Sequence, residues 1–215
     1  MNRFDQAVID GIGQMMNALP SSGWRLGITT TDHLDSSSIS HFPLVPGDTV
    51  ADAELIYNNL NNFAHREAGF DALHGYLINN AYNQSWLRDD AALLVVFVSD
   101  EDEQSNVQFA PYPAGLQEFI QWYGNRRASV FMASIVNVPA LDSVCTDWYS
   151  PNDIGHRYMD ATNAFNGVVV DICEEDWSPG VAAASSQVEP HEEWPLSYTP
   201  IEDTLIVFED TVPMA

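Results

Sequence analysis

Two short stretches hold oxygen ligands densely enough to bind a hard cation. Thr29-Thr30-Thr31-Asp32 sets three hydroxyls beside a carboxylate, and Ser99-Asp100-Glu101-Asp102-Glu103-Gln104-Ser105 sets a run of acids between serines. Hydroxyl and carboxylate oxygens without sulfur or imidazole suit Mg²⁺ or Ca²⁺ rather than zinc. Crowded carboxylates also repel one another until a cation neutralises them. The plainer alternative is that these acids cap the following helices and face water. Other chemistry is poorly provided for. Asp100 and Asp102, two apart at a strand exit, do not straddle a sugar bond as a hydrolytic pair does. His65 and His74 lack the spacing of a zinc protease, and His33, His41, His156 and His191 are scattered in loops. Gly11-Ile12-Gly13 falls inside a helical pattern and makes no phosphate loop. The reading is therefore non-enzymatic.

The elements that must position these groups follow from apolar periodicity. Phe4, Val8, Ile9, Ile12, Met15, Met16 and Leu19 mark a helix over Asn2 to Leu19. Trp24 to Thr31 reads as a strand, and the turn-rich Ser36 to Asp52 has room for a short edge strand. Helices are expected over Asp52 to Phe63 and Arg66 to Asn79. Ala91 to Val98 is a continuous apolar run, the pattern of a strand covered on both faces. A helix from Pro113 to Tyr123, a strand from Ser129 to Val138, a loop over Pro139 to Gly155, a helix from His156 to Phe165 and a strand from Val168 to Cys173 follow. This alternation predicts a Rossmann-like, three-layer α/β/α domain around a mostly parallel sheet over residues 1–177. Residues 178–215 read as a linker and a short C-terminal β extension, with a strand in Pro200 to Asp210. In such sheets ligands sit beyond the carboxyl ends of the strands, where both acidic stretches fall.

Composition limits the partners. Seven basic against 31 acidic residues leave a net charge of −24, and all the basic residues are Arg. A surface of that sign repels nucleic acid and anionic membranes. No apolar run approaches the length of a membrane span, and the first residues do not read as a signal peptide. Cys145 and Cys173 are too far apart for a CxxC motif and could be two buried thiols or one disulfide.

WRLGITTTD, EAGFDALHGYL, LRDDAALLVVFVSDEDEQS, Cys145 with GHRY, and NGVVVDICEEDW occur here in one order. That ordered set resembles a bacterial and phage branch of the von Willebrand factor A family, over roughly Phe4 to Trp177. LSYTPIEDTLIVFED resembles the start of the β segment that trails this branch. The resemblance implies a metal-ion-dependent adhesion site at the top of the sheet, with Asp100 as the matching ligand. The family's first strand and its Asp-x-Ser-x-Ser loop have no counterpart, since the chain opens at the helix that would follow them. The middle Thr has none either; the matching stretch, Phe63 to Gly69, carries His65 and Glu67. The expected strand would lie between those ending at Thr31 and Val98, supplied by an upstream segment or a partner chain. Our own inference adds Asp32 and Asp102 as ligands, with Ser99, Thr31 and Glu67 around them. The resemblance also implies a Cys145–Cys173 disulfide, closing a loop of about 29 residues and worth about 3–4 kcal/mol.

The expected function is a divalent-cation-binding adhesion or protein-interaction domain, extracytoplasmic or on a cell or virion surface. It would meet a protein partner through a metal-bridged carboxylate. The alternative is a phage virion or surface protein that uses the fold as a metal-independent scaffold.

Overall fold

The computed structural model describes residues 5–19, 23–60, 66–145, 153–177, 183, 208–209 and 212–213. Helix α1, Asp5–Ala18, buries Val8, Ile9, Met15 and Met16 on one face, as its periodicity requires. The short α2, His33–Ser36, leads into the stretch expected as turn-rich and was not anticipated. Helix α3, Val50–Asn59, starts two residues earlier than expected. There the Thr49 N–H and Oγ1 donate to Asp52 Oδ2 at 2.8 and 2.7 Å, half of a capping box.

The helix expected over Arg66 to Asn79 is two pieces. Helix α4, Gly69–His74, passes into a π-helical turn, Gly75–Asn79, closed by Asn80 N–H on the Gly75 carbonyl. Close packing surrounds the start of that turn. A Cβ on Gly75 would lie 2.5 Å from Ser37 Oγ, so only glycine lets the helix lie flush against α2. A 3-10 turn follows at Asn83–Ser85.

Strands β1 (Leu93–Ser99), β2 (Val130–Val136) and β3 (Val168–Asp171) form an all-parallel sheet in the order β1-β2-β3. Helices α5 (Ala114–Gly124) and α6 (His156–Ala164) connect them. Alternation along each strand divides the core. Leu93, Val95, Phe97, Met132 and Val136 pack with α4, α5 and α6 around Phe70, Phe119, Tyr123 and Tyr158. Val96, Val98, Ile135 and Val170 pack instead with Val8, Ile9 and Met15 of α1 and Tyr57 of α3. The architecture is mixed α/β with apolar clusters on both faces of a small parallel sheet.

The stretch Trp24 to Thr31, expected as a strand, makes one antiparallel bridge. Leu26 and Leu44 exchange main-chain hydrogen bonds of 2.9 Å, and Leu44 stands where the short edge strand was expected. Among the described residues no ladder joins this stretch to β1. Gly27, with no side chain to pack, weakens it as a strand. Most of residues 178–215, including most of the strand expected over Pro200 to Asp210, lies outside the described residues. Strands β4 (Phe208–Glu209) and β5 (Val212–Pro213) pair antiparallel there.

Candidate functional site

The carboxyl end of β1 gathers four of the expected residues. Glu67, in the segment entering α4, is 7% exposed, and Ser99 Oγ donates to its Oε2 at 3.2 Å. The Thr31 hydroxyl also bonds to it, and the Thr31 carbonyl accepts from Ala68 N–H at 3.2 Å. Burial raises the Glu67 pKa; the two hydroxyls oppose that rise, and the negative charges of Asp100 and Glu101 add to it. Thr31, Glu67, Ser99 and Asp100 thus form one neighbourhood of hard oxygen.

Asp32 and Asp102 are engaged elsewhere. Asp32 caps α2, its Oδ1 accepting from Leu34 and Asp35 N–H at 2.8 and 3.1 Å. Asp102 Oδ1 accepts from Glu103 and Arg157 N–H, both at 2.9 Å, and its Oδ2 lies 3.6 Å from Arg157 Nε. It therefore sits at the start of α6, where the helix dipole favours an anion. Asp32 thus caps the helix that follows it, as the capping alternative has it, whereas Asp102 serves α6 through Arg157, 55 positions away.

Residues the sequence reading missed hold the acidic loop in place. Asp71, 1% exposed in α4, accepts from the N–H groups of Asn106, Val107, Gln108 and Phe109. Its own N–H donates to Ser105 Oγ at 2.8 Å. Glu103, 3% exposed, takes the N–H groups of Phe70 and Ser105 on Oε1. Burial pushes its pKa up to about 7. Arg157 donates to the Glu103 carbonyl and lies over the Tyr112 ring. The available signal was an acid inside the apolar run Gly69 to Leu77, where a lone carboxylate needs partners from outside its helix.

Cys145 and Cys173 are joined in a disulfide with Cα atoms 5.2 Å apart. Beside it, Asp171 accepts from Val144 and Cys173 N–H at 2.7 and 3.1 Å. Among the described residues, Cys145, Asp171 and Cys173 are the one group of three metal-ligating side chains clustered closely enough to hold an ion. The sulfurs bond to each other, however, and metal ligation needs thiolates. Among the described residues no helix is long and apolar enough to cross a membrane. No protein-family model, no curated protein and no solved structure matches this chain.

Proposed function

We propose that the chain is a non-enzymatic interaction domain of von Willebrand factor A type. In this reading it takes Mg²⁺ or Ca²⁺ at the carboxyl end of its sheet and meets a protein partner through that ion. The observation that carries the reading is Glu67: a carboxylate buried among the hydroxyls of Thr31 and Ser99, with negative charge from Asp100 and Glu101 acting on it. A hard divalent cation there turns repulsion into coordination. Asp100 is the principal ligand, with Glu67, Ser99 and Thr31 around the ion. Asp32 and Asp102 reach it only by loosening their caps. A carboxylate from the partner completes the coordination.

The Rossmann-like layering and a further strand between Thr31 and Val98, from an upstream segment or a partner chain, belong to the same proposal. What speaks for that strand is β1 itself. Leu93 N–H donates to Ser129 on the β2 side, so the alternate residues Leu94, Val96 and Val98 direct their main-chain groups away from β2. These three are apolar yet only half-buried. The disulfide speaks for an oxidising, extracytoplasmic setting.

Calorimetric titration with Ca²⁺ and with Mg²⁺, paired with melting curves, tests the reading. Saturable binding should raise the melting temperature, by about 2.7 kcal/mol of stability at a hundredfold excess over Kd. In Asp100→Ala that binding should be lost while far-UV circular dichroism is unchanged. A folded chain that binds neither ion sinks the cation reading and turns the assignment to the scaffold alternative.

A further inference from the structure

The outer edge of β3 plays no part in the cation reading. Ile172 N–H donates to the Val136 carbonyl at 2.9 Å, and Val168 and Val170 stand in register with Ala133 and Ile135. Alternate residues of a parallel ladder address the same neighbour, so Val169 and the Asp171 N–H face outward. An outward row of main-chain groups is a template for another strand.

Beside this edge lies an open groove of about 560 Å³, within the size range of binding sites. Val138, Pro139, Met159 and the half-buried valines of β3 make an apolar wall. At the carboxyl end of β3 the lining turns acidic, with Asp142 and Glu174 exposed.

Charge selects the occupant. A second copy of this chain would bring the same net charge of −24. The stretch from Ser178 to Ala215 contains acids and neither Lys nor Arg, so it has no such cation to set against Asp142 and Glu174. We propose that the groove docks an extended segment of a basic partner protein. The segment adds a strand beside Val169 and sets Lys or Arg against Asp142 and Glu174. Main-chain pairing supplies the fit, and the carboxylates supply steering and register.

The probes are two seven-residue peptides of alternating Thr and Val, one with an Arg-Arg pair at its carboxyl end and one at its amino end. Each is matched by a peptide with Glu-Glu in place of Arg-Arg. Titrations are run in chelator, so failure here leaves the cation reading untouched. We expect saturable binding of one Arg peptide, slowed exchange of the Val169 amide, and binding at least tenfold weaker for its Glu counterpart. Raising salt from about 50 to about 500 mM should weaken the Arg peptide, as screening requires. The double substitution Asp142→Asn, Glu174→Gln should weaken it about tenfold without lowering the melting temperature. Equal affinity for Arg and Glu peptides, an unaffected Val169 amide, or chemical-shift changes centred on Ser99 to Ser105 would each overturn the proposal. So would the absence of saturable binding by either Arg peptide.

Discussion

Buried carboxylates need either donors or a counter-charge, and Asp71 and Glu103 sit on different sides of that requirement. Asp71 receives four main-chain N–H groups, so its buried oxygens are well supplied with donors. Asp71→Ala strands those donors and should cost on the order of 3 kcal/mol, read by denaturant melts. Amide exchange should quicken first at Asn106 to Phe109; uniform exchange across the domain would contradict this anchoring role. Glu103 has fewer donors and ionises at about 7, against 4.5 for the free side chain. Between those values the folded state holds a proton that the unfolded state has released. Stability from this group is therefore greatest below about pH 4.5, declines as pH rises through about 7, and stays reduced above it. Glu103→Gln keeps an acceptor for Phe70 and Ser105 and removes the titration. Relative to the parent it should gain on the order of 2–3 kcal/mol between about pH 5 and about pH 8. A pH-independent difference would show that Glu103 does not titrate in that window.

Whole elements were legible wherever local pattern and tertiary context agree. The apolar run at Ala91 to Val98, the valines at Val168 to Val170 and the stripe of α1 all became the elements their periodicity predicts. Legibility failed where a distant contact decides the outcome. Nothing local to Gly75 announces that α2 will press against it, or that the expected helix is an α-helix followed by a π turn. Trp24 to Thr31 has strand composition, yet pairing needs a neighbour, and among the described residues only Leu44 provides one. At the site, Asp100, Glu67, Ser99 and Thr31 were legible as oxygen-bearing candidates, and the fold brings them into one neighbourhood. The loop anchors Asp71 and Glu103 were not, because the contacts that tie α4 to the acidic loop, Phe70 N–H to Glu103 and Asn106 N–H to Asp71, span more than 30 positions. Helix α4 also depends on a close approach that only glycine permits. The Gly69 N–H donates to Tyr158 Oη at 3.2 Å, and a Cβ there would fall 2.5 Å from that oxygen. Gly69→Ala should cost about 1–3 kcal/mol in thermal melts; an unchanged melting temperature would mean that α4 shifts freely.

At the scale of the molecule, a net charge of −24 leaves the folded state in tension with itself. Monovalent salt should raise the melting temperature by screening that repulsion. Ca²⁺ at matched ionic strength should raise it further only if a defined site exists, which separates screening from coordination. The strong excess of acid over base also favours basic partners at long range, whichever edge of the sheet they reach.

The Cys145–Cys173 bond makes α6 and β3 part of one covalent ring. A backbone cut anywhere inside that ring opens the chain without dividing the molecule. A protease-nicked sample therefore runs as a single band until a reductant is added, when two fragments separate. For a domain working among extracellular proteases, the first cut in this stretch would leave every residue still tethered to the rest.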